Sequence, residues 1–316
     1  MKDSLIRSIK QFLHYHFVPG KPILLGFSGG NDSLALLDLL CHLRPFFPLE
    51  VHLAHVDHGW RKESGAQAQE LKNFSPTLGL AFHLHTSSSL EKSEEKAREE
   101  RLHFFRRLYQ ELGAQALVLA HHADDQAETV LKRIFEGASL PLLGAMSKVS
   151  HYEEMTLWRP LLDIPKKKLL AWTAKRALNP IQDETNHDER YLRGKMRQRI
   201  FPELNAQFGK EVTGNLVRLS EMSHELHGYL LRKTAPLLST LKQDALGVHW
   251  DFNPFFPLEK LEVQFALKQF LTAQGLFFSR QLLQSIVFHL EKRSGKRRFG
   301  NRLIVDRGTI QIKSRD

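Results

Sequence analysis

The chain has 316 residues, 42% hydrophobic and 25% charged, which excludes global disorder and allows one large and one smaller domain. Lys and Arg outnumber Asp and Glu by 45 to 35, a net charge of +10; small-metabolite chemistry has no need of this excess, a phosphate-bearing partner explains it, and a role in solubility is the alternative. The single cysteine, Cys41, excludes an intrachain disulfide and a cysteine-only metal cluster, and no run approaches the roughly 20 apolar residues of a membrane span.

Leu5, Ile6, Ile9, Leu13 and Phe17 recur at helical spacing, so the chain opens with an amphipathic helix. Arg7 and Lys10 interrupt what would be the apolar core of a signal peptide, which makes a cytoplasmic protein the expectation. Four short apolar runs, at residues 23–27, 51–56, 81–85 and 116–120, read as buried parallel strands. Helical patterns at 33–43, 65–78 and 94–112 lie between them. Such alternation predicts an α/β fold, a parallel sheet with helices on both faces and ligands at the edge where the strands end. Residues 136–159 read as loops and an exposed hairpin. After Phe201-Pro202 the segments 211–238, 258–273 and 279–292 are helical by period, and 302–305 with 309–312 form a small hairpin around Arg307-Gly308. A catalytic domain over 1–205 and a mainly helical second domain over 206–316 are therefore expected. Cys41, in the run Leu39-Leu40-Cys41, reads as a buried, inert thiol.

The first strand runs straight into Ser28-Gly29-Gly30-Asn31-Asp32-Ser33 and then into a helix. Unpaired amides at a helix start and the helix dipole attract an anion. Gly29 and Gly30 let the backbone approach a phosphate, Ser28 and Ser33 add hydroxyl donors, and Asp32 is suited to the Mg²⁺ that accompanies a nucleotide. The Gly-Lys-Ser/Thr ending of a Walker loop and the dinucleotide G-x-G-x-x-G are both absent. A glycine turn that merely caps a helix, with Asp32 or Ser33 as cap, is the structural alternative. Further along, Ala54-His55-Val56-Asp57-His58-Gly59-Trp60-Arg61 follows the second strand, and Asp57 and His58 suit a local turn as well as a ligand. After the fourth strand comes Ala120-His121-His122-Ala123-Asp124-Asp125-Gln126-Ala127-Glu128-Thr129. Its His/Asp density suits a divalent metal site, and its carboxylates a helix cap, a functional group or both, with His121 and Asp125, and Asp124 and Glu128, placed to share helical faces. A third group joins Arg159-Pro160-Leu161-Leu162, a lysine run that starts a helix at Pro165, Asp183-Glu184-Thr185-Asn186, and Arg193 and Arg197.

The first string resembles the SGGxDS signature of the PP-loop (N-type) ATP pyrophosphatases. The set as a whole resembles the tRNA(Ile)-lysidine synthetase family over residues 21–205, and the helix from Glu94 to Arg101 resembles that family's AAR-xx-R helix. The resemblance implies a Rossmann-like (adenine nucleotide alpha hydrolase-like) PP-loop domain with ATP and Mg²⁺ as cofactors. It implies an isoleucine tRNA with anticodon CAU and free L-lysine as substrates. The implied reaction adenylates C2 of the wobble cytidine, after which the amine of lysine displaces AMP to leave lysidine. By the same resemblance Ser28–Ser33 grip the phosphates, with Asn31 among them, and Ala54, His55 and Asp57 border the adenosine. Asp32 holds Mg²⁺, Asp125 and Glu128 receive lysine, and Arg193 and Arg197 meet phosphates. Asp124 and Asp125 are not ranked. Trp60, Leu102, Gly194 and the segment Gly137-Ala138-Ser139-Leu140-Pro141 depart from the family pattern. The chain looks like the family's shorter form, without the extra C-terminal domain; Lys292, Arg293, Lys296, Arg297, Arg298 and Arg302 then suit either contact with the tRNA or an exposed basic helix end, and a homodimer stays open. Two rivals remain: a tRNA thiolase of the same superfamily, which one cysteine disfavours, and a nucleotide-binding protein without chemistry.

Overall fold

Ile23, Leu24 and Leu25 alternate between two faces of a sheet, and a helical layer covers each face. The computed structural model describes residues 4–60, 62–87, 93–181, 192–244, 247–257, 259–276, 278–300 and 302–313. Arg61, Asp183-Glu184-Thr185-Asn186 and Tyr191 lie outside them. Contacts divide the chain into two compact units, Met1–Glu221 and Met222–Asp316. The division falls later than the position near 206 expected from composition, because one long helix, Thr213–Leu238, runs across it.

In the first unit, strands β1 (Ile23–Gly26), β2 (Val51–Asp57), β3 (Ala81–Thr86), β4 (Ala116–Val118), β5 (Val149–Tyr152) and β6 (Met155–Trp158) form one sheet in the order β3-β2-β1-β4-β6-β5. All neighbours pair in parallel except β5 with β6. Helices α1 (Ser4–His16), α2 (Asn31–Leu43), α3 (Ser64–Phe74), α4 (Glu94–Glu111), α5 (Ala123–Phe135) and α6 (Lys166–Lys175) follow in chain order. Ile23 and Leu25 join the core with Ile9 and Leu13 of α1 and Leu36 and Leu40 of α2. Leu24 and Leu117 point the other way, against Phe104, Phe105 and Leu108 of α4. This two-residue alternation on a doubly covered sheet makes the strands read as continuous apolar runs. Each such side chain fully removed from water contributes about 1.5–3 kcal/mol.

Two expectations change. The third run is an edge strand: β3 alternates exposed and half-buried residues, having β2 on one side only. The hairpin at 149–158 is not wholly exposed, since β6 inserts beside β4 and buries Met155, Leu157 and Trp158. Cys41 is half-buried in the α2 core, and burial pushes its thiol pKa up, as an inert thiol requires.

Towards the end of this unit, helix α7 (Leu192–Lys195) passes through a π turn, Met196–Ile200, into α8 (Phe201–Phe208). Pro202 has no N–H to continue an α-helical ladder, which accounts for the widened turn just before it. In the second unit, α9 (Thr213–Leu238) ends, and α10 (Lys260–Ala273) and α11 (Arg280–Glu291) pack with a sheet of β7 (Leu241–Asp244), β8 (Gly247–Asp251), β9 (Arg297–Phe299), β10 (Leu303–Asp306) and β11 (Thr309–Lys313). Its order is β7-β8-β11-β10-β9, antiparallel throughout. Helices supply more of its residues than strands do, and the predicted tail hairpin is β10–β11, but that hairpin is part of a five-stranded sheet. Trp250, Phe252 and Phe270 form its buried aromatic core, and the Trp250 indole donates to Leu237 O at 2.7 Å. No described helix is long and apolar enough to cross a membrane.

Candidate functional site

Chain order carries β1 to β2 and β3 on one side, then returns to place β4 on the other side of β1. The loops after β1 and β4 therefore diverge from neighbouring strands, and a crevice at such a switch point is where open α/β sheets bind ligands. The first loop is Ser28–Ser33. Gly29 sits at φ +77°, and a Cβ there would come within 2.8 Å of Ile181 and 2.9 Å of Leu71, so only glycine fits. Gly30 caps α2 and has no side chain to take up the first-turn amides. Ser33 Oγ donates to Gly30 O at 3.0 Å and lies 3.1 Å from Ser28 Oγ, holding the loop closed. Asn31 Oδ1 accepts from Thr173 of α6 at 2.6 Å, while Asn31 Nδ2 and Asp32 Oδ1 are buried without a partner.

The second loop delivers His122 as the cap of α5. Its Nε2 is 3.5 Å from Asp32 Oδ2 and 3.5 Å from Asp125 Oδ2, and its Nδ1 is 3.6 Å from Asp124 Oδ2. Neutral, Nδ1 accepts a long bond from Asp125 N–H at 3.4 Å, while Asp125 Oδ2 accepts from His122 N–H at 3.0 Å. Burial opposes protonation, but the hydrogen bond to Asp32 and the charges of Asp125, Asp32 and Asp124 outweigh it and hold His122 above the ordinary histidine value. Burial likewise raises Asp32, but His122, then Lys166 and Asn31, bring its carboxyl below the usual range. Its neighbour His121 behaves oppositely. Burial lowers it to about 4 against the pull of Asp125, with Arg159, Arg193 and His122 adding repulsion; its Nδ1 is buried and unpartnered.

One turn into α5, Glu128 is only 2% exposed. Arg197, in the π turn, donates Nε to Glu128 Oε1 and Nη2 to both Glu128 Oε2 at 3.1 Å and Asp125 Oδ1 at 2.8 Å. Arg193, 59% exposed, lies 3.8 Å from Glu128 Oε2. Burial raises the Glu128 carboxyl, with Arg197 opposing. From α4, Arg101 keeps an exposed flank, yet partial desolvation and then the charges of Arg98 and Arg193 hold its guanidinium below the ordinary value. Cations crowded against one another mark a place for an anion.

The structure thus links Asp32 to Asp125 through His122 and Asp125 to Glu128 through Arg197, with Arg193 beside Glu128. It spreads the remaining residues along the edge. Ala54 is buried and its carbonyl accepts from Phe27 N–H at 2.8 Å. His55 Nδ1 is 2.8 Å from Phe27 O, which ties its ring to the end of β1. Asp57 is buried and accepts from Gly59 N–H at 2.9 Å, the local turn that was the alternative for it. Asp124 and Asp125 separate clearly: Asp124 Oδ2 accepts from Lys166 N–H at 2.8 Å and docks the start of α6, whereas Asp125 faces Arg197. His121 and Asp125 do not share a helical face, because α5 begins only at Ala123.

A PP-loop domain model matches residues 1–204. The tRNA(Ile)-lysidine synthase of Chlamydia pneumoniae is 38% identical over 296 residues, 90% of each chain. That of Protochlamydia amoebophila is 33% identical over 320 residues, 99% of this chain and 70% of its own length. The chain belongs to the tRNA(Ile)-lysidine synthase family. Among solved structures, the U34-tRNA thiolase NcsA of Methanococcus maripaludis superposes with a TM-score of 0.58 at 18% identity, over 70% of this chain and 78% of its own; that likeness is one of fold. Within this synthase-family chain, the residue that motif reading undervalued is His122. Its signal was present as His-x-x-Asp, a capping box in which imidazole replaces the usual hydroxyl.

Proposed function

We propose that the protein ligates lysine to C2 of the wobble cytidine in a CAU-anticodon isoleucine tRNA, through an adenylated cytidine, releasing pyrophosphate and then AMP. One observation carries the reading: His122 bridges Asp32 of the phosphate loop and Asp125 of the Asp125–Glu128–Arg197 cluster at 3.5 Å each. An ATP-cleaving loop and an acidic cluster suited to an amine thus adjoin, as a reaction with two successive attacks requires.

The first-turn amides of α2, with the dipole behind them, take the β- and γ-phosphates and stabilise the departing pyrophosphate. Asp32, whose Oδ1 is buried without a protein partner, would hold a Mg²⁺ ion, which would neutralise charge on the leaving pyrophosphate. Lysine's ammonium takes a place beside Asp125 and Glu128, so Arg197 shares these carboxylates with it. Burial raises Glu128, which suits it to accept the proton an attacking amine must lose. Arg98, Arg101 and Arg193 offer their charge to the lysine carboxylate or to tRNA phosphates. Ala54, His55 and Asp57 border the adenosine through the end of β2. The second unit, with the basic residues between Lys292 and Arg302, contacts the tRNA, and the enzyme works in the cytoplasm as a ligase.

The experiment is incorporation of labelled lysine into a CAU transcript, with AMP release measured with and without tRNA. Incorporation matched by tRNA-dependent AMP is the expected result. ATP cleavage without lysine in the tRNA sinks the lysidine reading. Thiolation is the weaker reading, since the sequence has one cysteine to carry sulfur or a cluster.

A further inference from the structure

Helix α5 carries the catalytic cluster at its start and an apolar, solvent-facing end that none of the chemistry above uses. Phe135 is 80% exposed and Leu140, in the loop that follows, 62%; Ile134 and Leu142 are exposed as well. The loop folds back on the helix: Gly137 N–H donates to Ile134 O at 3.0 Å, Ala138 N–H to Arg133 O at 2.9 Å, and Arg133 Nη1 to Leu142 O. These residues form a supported ledge, not a frayed terminus.

Position and surroundings name its occupant. Phe135 follows Glu128 by seven residues, two helical turns, so it lies on nearly the same face about 10 Å further along. Between them Leu131 is buried against Met196 and Phe201, and beyond it the ring emerges into solvent. The neighbouring helix exposes Arg193, Lys195 and Arg199, charges that suit a phosphate backbone crossing this face. Unpaired bases stack on aromatic rings flanked by cations.

We propose that Phe135, with Leu140 of the returning loop, is a stacking platform for an unpaired anticodon-loop base flanking the cytidine held near Glu128. The inference rests on the tRNA reading above and names where that substrate is gripped.

The test measures binding of a CAU anticodon stem-loop RNA by fluorescence anisotropy to wild type and to Phe135→Ala, Phe135→Leu, Phe135→Tyr and Phe135→Trp, with self-association followed by sedimentation. Stacking predicts that Ala and Leu weaken binding about ten- to a hundredfold while Tyr and Trp stay within a few-fold of wild type. ATP affinity and Tm stay unchanged, because the ring is outside the core. If Leu binds as tightly as Phe, or if RNA binding ignores the residue and a dimer dissociates instead, the platform is overturned and the ledge is a simple apolar or self-association surface. Lysine incorporation by wild type separates the two readings. Incorporation with an indifferent Phe135 sinks only the platform, whereas aromatic-dependent RNA binding without incorporation sinks only the lysidine reaction.

Discussion

His122 faces three carboxylates, and this gives the ligand-free protein a pH signature. A histidine whose native pKa exceeds its unfolded 6.5 adds stability that is complete below 6.5 and lost as pH rises through the native value. Asp32, held below its ordinary 3.8, does the reverse: its contribution is present above 3.8 and lost as pH falls through the native value. Thermal unfolding of the nucleotide-free protein between pH 6 and 9 is therefore predicted to show a declining Tm, and His122→Gln to flatten that decline. An unchanged slope in the variant would place the titration elsewhere. Arg197 makes a second prediction at this scale. Arg197→Met leaves Glu128 ionised in a buried site, at a cost of about 3 kcal/mol near neutral pH. Since burial already raises Glu128 from 4.5, the deficit should shrink towards pH 5 as the carboxyl protonates, and denaturant unfolding at two pH values reads this directly. An equal loss at both would mean that Arg197 acts by packing alone.

At the scale of elements, α6 acts as a clamp on the helix that carries the phosphate loop. Trp172 donates its indole N–H to Asp38 Oδ2 at 2.9 Å, Arg176 reaches both Asp38 oxygens at 3.2 Å, and Thr173 holds Asn31. Trp172 is buried, so Asp38→Ala strands an indole N–H. The expected loss is about 1–2 kcal/mol, a Tm drop of roughly 2–8 °C, accompanied by weaker ATP binding because the loop at the head of α2 loosens. Calorimetry with and without ATP checks both parts; a stable variant with intact ATP affinity would remove the clamp. Element-level legibility differed between the units for a physical reason. β1 and β4 are covered on both faces and advertise themselves as apolar runs, and β11 alternates along Thr309–Lys313. β7, Leu241–Asp244, and β9, Arg297–Phe299, are edge strands with mostly exposed side chains. Backbone pairing makes them strands, and backbone pairing leaves no mark on side-chain pattern.

For the molecule as a whole, the charge of +10 suits a partner that carries phosphates, and salt dependence tests that role. Affinity for tRNA should fall at least about tenfold between 50 and 200 mM salt, since each neutralised phosphate releases counterions. ATP affinity, set by enclosed amides, should change much less over that range. Titrations at several salt concentrations give the slope, and a flat tRNA curve would show that the excess charge serves solubility only.

Local chemistry is what the sequence determined on its own. The Ser28–Ser33 loop at a strand-to-helix junction, the acidic start of α5, the shortage of cysteine and the basic surplus are properties of neighbouring residues or of composition. Tertiary structure decided which of them meet. Residues 32 and 122 approach within 3.5 Å because β4 returns beside β1, and Arg197 reaches Glu128 from the widened turn before Pro202. Asp125 was separated from Asp124 in the same way, one turned to Arg197 and the other taken by the start of α6. Strand order and helix register set those distances, and neither is encoded in spacing along the chain.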